Sequence, residues 1–265
     1  MSLNSVIDID EYCRFNRTSI EQDNIQRGLC GGVTAWSKWG KRNTSTAASG
    51  DETLWAFTDN LTILTTSTTF AIAYNNTTDG LGTTGAISLL ISYIDANYQL
   101  QSALHTLGSS GSDTTSFTGL GINRCVVLSS GSLNQNTNDI SITATTGGSN
   151  QAIVPAGLGV TQQCVFHAPI SSVGVIKYIN ASAGRLAGGN DPKVEFKLWS
   201  YNRFTETKYE IWADLLDTAV GTKSEYLDPV GLAISGRDVI YMTMDTDINS
   251  TIARGRFSLN LYTTA

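Results

Sequence analysis

The chain is short of charge. Of its 265 residues only 15% are Asp, Glu, Lys or Arg, against roughly 25% in ordinary globular chains. It also has just two histidines, four cysteines and four prolines. Each scarcity narrows the function. A Ser-His-Asp or Cys-His centre must recruit His105 or His167. Cys164 lies three residues before His167, so on a regular strand their side chains point to opposite faces. The cysteines Cys13, Cys30, Cys125 and Cys164 show no CxxC spacing, which argues against a zinc knuckle. A Cys13–Cys30 disulfide stays open beside the reading of buried free thiols in a reducing compartment. Net charge is −6 and no basic stripe is visible in the sequence, so no nucleic-acid partner is expected. The short cluster Lys38, Lys41 and Arg42 reads as a solvated loop edge. No apolar run approaches the roughly 18 residues of a membrane span. Residues 1–11 carry acids early and do not read as a secretory signal, so synthesis in a cytosol is expected. The Asn-x-Ser/Thr sequons, such as Asn60 and Asn180, are expected from composition alone.

What fills the gap is Thr, Ser, Asn and Gly. Thr suits strands, and the other three suit turns. From residue 53 onward short apolar or alternating runs follow one another. Those at 54–57, 61–64, 70–74, 86–94, 98–107, 121–129, 140–144 and 164–167 are read as strands. In the last hundred residues the alternation is clearest. Val194, Phe196 and Leu198 share one face of a strand, as do Phe257, Leu259 and Leu261, and Tyr209 is expected beside Ile211. Asn75 to Gly80 ends in the Asp-Gly pair of a hairpin turn, and Asp95-Ala96-Asn97 turns the chain again. Many short strands at this spacing imply an all-β protein, a single jelly-roll β-sandwich over 51–265. Residues 1–50 differ and are read as an N-terminal extended arm and linker, with a short helix near 18–26. In it Trp36 and Trp39 stand between glycine turns. They are the candidate interface residues, clamping a neighbour or, in the alternative, covering the core as an ordinary first strand.

Motifs that carry chemistry are missing. There is no nucleophile elbow, P-loop or zincin sequence. Gly119-Leu120-Gly121 lacks the third glycine of a dinucleotide loop and precedes a strand. Asp245, Asp247 and Asn249 have the 1-3-5 spacing of a calcium loop, but Ser250 and Arg256 stand where its glycine and bidentate acid belong. Asp8 and Asp10 form a second, weaker acidic pair. The residues alone therefore point to a non-enzymatic protein without cofactor or metal. Two carboxylates brought together by folding, as in a glycosidase, remain an alternative that spacing does not address.

Four runs are familiar in their order. ISYIDANYQ at 91–99 resembles a strand-turn-strand of virion-associated proteins from marine phages and large algal viruses. GINRCVV at 121–127 is similar to a strand of the same proteins, followed by the Gly/Asn-rich loop 129–138 and the strand 139–143. VPAG at 154–157 resembles a further turn. The likeness spans 54–262. It implies a particle protein: a single-jelly-roll penton or minor capsid protein located in the virion and assembled in host cytoplasm. Its implied partners are copies of itself and other capsid proteins. A receptor- or glycan-binding spike module, with a host-surface glycan or receptor as partner, is the alternative. Deleting residues 1–40 is then expected to spare the sandwich and impair assembly. The family supplies no functional residues to transfer.

Overall fold

The computed structural model describes residues 31–44, 50–185, 192–217, 221–226, 231–248 and 250–263. Among them all regular structure is strand. In chain order these are β1 (Val33–Asn43), β2 (Glu52–Thr53), β3 (Phe70–Ala73), β4 (Ala86–Ile94), β5 (Leu100–Thr106), β6 (Ser112–Thr114), β7 (Gly121–Ser130), β8 (Ile140–Ala144) and β9 (Asn150–Val154). They continue as β10 (Val165–His167), β11 (Ser172–Arg185), β12 (Lys193–Asn202), β13 (Thr207–Asp217), β14 (Gly221–Tyr226), β15 (Leu232–Ser235), β16 (Asp238–Thr246) and β17 (Thr251–Thr263).

The all-β expectation holds, but a single sandwich over 51–265 does not describe the chain. The strands close two separate cores. The first sandwich is discontinuous. One of its sheets runs β1-β17-β11-β14, with β15 also on β11. The other runs β10-β16-β12-β13, with β2 also on β16. Between them lie Phe166, Ile179, Phe196, Met242, Phe257 and their neighbours. The second sandwich is spliced in after β2. Its sheets β6-β3-β8-β9 and β5-β4-β7 enclose Phe70, Ile72, Leu89, Ile91, Ile122 and Ile142. Alternation marks which side chains turn inward, but not which core they share.

In the first sandwich the pairing is nested. Leaving aside β10 and β15, eight strands remain: β1, β2, β11, β12, β13, β14, β16 and β17. The first pairs with the eighth, the second with the seventh, the third with the sixth and the fourth with the fifth, all antiparallel. That is one long hairpin rolled up across two facing sheets.

The alternating runs behave as read. Val194, Phe196 and Leu198 are buried on one face of β12, and Phe257, Leu259 and Leu261 on one face of β17. Tyr209 and Ile211 part company. The β12–β13 register slips at Leu198/Trp199, leaving Ile211 unpaired and packed on the core while Tyr209 stays exposed. The runs at 54–57 and 61–64 are not strands. Residues 55–63 form a cover over the outer face of β16, where Trp55, Phe57, Leu61 and Ile63 meet Val239, Tyr241 and Trp199. This explains why β16 is buried on both sides. Asp79-Gly80 makes no hairpin either, because β3 and β4 lie in different sheets. Asp79 is fully buried. Its carboxylate accepts from the amides of Ala86 (2.8 Å), Thr137 (3.0 Å) and Asn138 (3.1 Å) and from the Thr137 hydroxyl (2.8 Å). It pins two long connections of the inserted sandwich together.

Candidate functional site

The segment expected as an arm is, from residue 33 on, a strand of the body. β1 pairs with β17 along its whole length, from Val33↔Tyr262 to Asn43↔Ile252. Residues 1–30, with the expected helix, the Asp8–Asp10 pair, Cys13 and Cys30, lie outside the described residues, as do 45–49. Alternation on β1 separates the two tryptophans. Trp36 turns inward, its ring 5.3 Å from that of Phe166. Trp39 turns outward and is 37% exposed. Gly40 and Gly255 are direct register partners on the inner face. A Cβ on Gly40 would stand 1.9 Å from the Leu54 carbonyl oxygen, and one on Gly255 2.3 Å from the Met242 sulfur. Only glycine lets the Leu54 and Cys164 segments pass this close beneath the sheet.

Two members of the basic cluster of β1, Lys38 and Arg42, are buried and not at a solvated edge, while Lys41 stays half-buried on the outward row. Arg42 is buried. Its guanidinium grips both Glu52 carboxylate oxygens at 3.0 Å and donates to the carbonyls of Phe57 (3.0 Å) and Asp59 (2.8 Å), so it shapes the 55–63 cover. Lys38 is 4% exposed and reaches the inserted sandwich, where its ammonium donates to the Asn123 carbonyl. Its pKa falls from 10.5 to about 7. Burial is the main cause, opposed by Cys164 and reinforced by the charge of Arg124.

Lys38 belongs to a buried polar junction between the two sandwiches. The Asn123 side chain and the His167 backbone exchange two hydrogen bonds, of 2.9 and 2.7 Å. Gln163 donates to the Ile122 carbonyl at 2.8 Å. Arg203 donates to the Leu120 carbonyl at 2.6 Å and to His167 Nδ1 at 2.9 Å. A guanidinium only donates, so Nδ1 accepts and the imidazole proton sits on Nε2. Burial, then the charges of Arg203 and Lys38, hold the His167 pKa well below its usual value. Gly121 makes room for the ring, since a Cβ there would lie 2.4 Å from it.

No thiol–imidazole pair forms here. Cys164 faces the core of the first sandwich and its Sγ approaches the Gly255 carbonyl at 2.9 Å. Burial drives its pKa strongly upward, and that of Cys125 up to about 12. Both are free thiols. His105 Nε2 lies 3.5 Å from Asp113, whose other contacts are the Tyr74 hydroxyl and the Gly108 amide. Among the described residues no group of three or more His, Cys, Asp or Glu could hold a metal ion, and no helix is long and apolar enough to cross a membrane.

Above the junction, a groove of about 710 Å³ opens between the outer face of β1, β17 and β11 and the edge of the inserted sandwich. Strand register sets its floor. Ser37, Ser258 and Tyr178 form one outward row across the three strands, and Trp39, Arg256 and Asn180 form the next. Lys41, Arg254 and Ser182 form a third. Arg124 of β7 and the 160–163 segment make the opposite wall. Arg254 and Arg256 project from alternate positions of one strand, about 7 Å apart. Arg256 Nε donates to the Ser37 hydroxyl at 2.9 Å. The sequence shows these arginines as scattered; strand pairing gathers them. Both sequence candidates are among the residues lining the groove; Trp36 packs its ring on Phe166, whereas Trp39 stands on the outward row and is the more exposed.

No family model matches the chain, and no curated protein matches it. Among solved structures, a structure of the infectious bursal disease virus Gx strain is similar at 8% identity with a TM-score of 0.19. The match covers 88% of this chain and 76% of that one. The VP2 subviral particle of the same virus gives 8% identity and a TM-score of 0.20, with coverage of 88% and 72%. The Gt strain gives 9% and 0.20, with coverage of 86% and 70%. Scores at this level do not establish a common fold.

Proposed function

We propose that the chain is a structural protein of a virion, of penton or minor capsid type. In this reading the first sandwich is a jelly roll and packs against copies of itself and other capsid proteins. The nested pairing of its eight strands carries the proposal. Shell-forming jelly rolls are built on such two-sheet rolls, which leave few free edges while offering flat sides to symmetry mates. The inserted sandwich then stands out from the shell as a second unit, held by the polar junction. All four sequence runs that resemble virion proteins lie in or directly beside the strands of this insertion. The role is interfacial and not catalytic.

Native mass by light scattering, with negative-stain microscopy across rising protein concentration, tests this. Closed rings or shells are expected, and a five-membered ring favours the vertex role. A chain that stays monomeric at every concentration and ionic strength sinks the self-assembly reading.

A further inference from the structure

The groove beside Trp39 stands apart from the rest of this acidic protein. Lys38, Arg124, Arg254 and Arg256 are among its lining residues, and no carboxylate of the described residues is, although the chain carries a net −6. Arg124 and Arg254 are exposed and make no side-chain hydrogen bond or ion pair with a described residue. Among the described residues Arg256 is tied to the Ser37 hydroxyl and to the face of Tyr178. Among the described residues, three guanidinium groups converge on one cleft without a counter-charge, and such an arrangement favours a bound anion. A buried acceptor is also open. Gln163 lines the groove and is 1% exposed, yet its Oε1 receives no hydrogen bond.

The remaining lining narrows the class of anion. Guanidinium forks match planar or tetrahedral oxyanions through paired hydrogen bonds. Trp39 offers an indole ring beside Arg256, its register partner. An aromatic ring of this kind packs against the apolar face of a sugar while hydroxyls and amides at the rim take its polar groups. Ser37, Asn180, Ser182 and Ser258 supply that rim. A nucleic-acid strand asks instead for a long basic track and several stacking rings. The groove has one exposed indole, and its cations are confined to a short cleft. We propose that this groove binds a sugar chain bearing sulfate or carboxylate groups, held by Arg124, Arg254 and Arg256 and stacked on Trp39. The site does not depend on the virion reading, and either can fail alone.

The test is calorimetric titration of the full chain with four probes: a heparin oligosaccharide, a hyaluronan oligosaccharide, a neutral dextran and a single-stranded oligothymidylate of matched charge. Binding is expected for heparin, hyaluronan or both, and not for dextran. Heparin alone assigns sulfate, and hyaluronan alone assigns carboxylate. The R254S/R256S variant should lose tenfold or more in affinity, and W39A several-fold. All three side chains point outward, and an unchanged melting temperature confirms folding. K193S, on the opposite sheet, should bind as the wild type does. The proposal is overturned if neither oligosaccharide binds, or if R254S/R256S binds as tightly as wild type. It is also overturned if the oligothymidylate binds as well as the sugars with the same sensitivity, which assigns the groove to nucleic acid.

Discussion

Replacing Lys38 by Met tests the electrostatics of the junction. The ammonium is buried between the sandwiches with the charge of Arg124 acting on it and, among the described residues, no carboxylate bonded to it. Its folded pKa of about 7 lies below the ordinary 10.5. Between those values the unfolded chain binds a proton that the folded chain does not, so stability rises with pH across that window. Below pH 7 both states are protonated, and the folded state bears the whole cost, roughly 5 kcal/mol at ~1.4 kcal/mol per pH unit. Met keeps the length and packing of the stem but leaves the Asn123 carbonyl without its donor, costing about 1–3 kcal/mol at every pH. Urea unfolding of wild type and K38M, taken at pH 9.5 and 6.5, separates the two effects. The stability difference should swing by about 3 kcal/mol in favour of the variant as pH falls between these points. Groups that do not feel Lys38 cancel between the two chains; the Lys38 charge also depresses His167, so its loss adds to the swing in the same direction. Parallel stability curves would refute the argument and mean that water reaches the ammonium. His167 acts in the same direction at lower pH. Its pKa is depressed, so stability falls further as pH drops below 6.5.

Three further outcomes follow from the packing. Asp79→Ala removes the acceptor of four hydrogen bonds inside the inserted sandwich and should cost about 3 kcal/mol or more; a calorimetric loss under 1 kcal/mol contradicts the clamp. Gly40→Ala forces a methyl into the Leu54 carbonyl, where overpacking costs ~1–3 kcal/mol and rigid backbone leaves little relief; a melting temperature equal to wild type argues against that close approach. Deleting residues 1–40 removes eight of the eleven residues of β1, bares the edge of β17 and uncovers Phe166. It should therefore unfold or aggregate the chain instead of merely impairing assembly, whereas deletion of 1–30 keeps β1 whole. Circular dichroism of the two truncations distinguishes them, and equal melting curves would show that β1 contributes nothing.

Much of the local structure was legible in the residues. The run at 86–94 is β4 and that at 140–144 is β8, because alternation of apolar and polar side chains is a property of a single strand. The strands that escaped notice had little of it. β6 is Ser-Asp-Thr and β14 is a polar Gly-Thr-Lys-Ser-Glu-Tyr, each ordered by its sheet neighbour. The apolar runs at 54–57 and 61–64 carried the right burial but the wrong element. Trp55 is fully enclosed as part of an irregular cover, fixed by Arg42 through carbonyl contacts that no sequence spacing encodes.

The sequence by itself determined that this is a strand protein, which side chains are apolar enough to turn inward, and that a thiol and an imidazole three residues apart do not meet. Those are consequences of backbone periodicity and side-chain chemistry within a few residues. Only the tertiary structure decided that there are two cores, that Trp36 serves one of them while Trp39 faces a groove, and that Lys38 and Arg42 are buried. It alone placed Arg124 opposite Arg254 and Arg256, some 130 positions away in the chain. Strand partners are chosen by burial and hydrogen bonding summed over whole sheets, so the register that assembles such a cleft is written in no local stretch of residues.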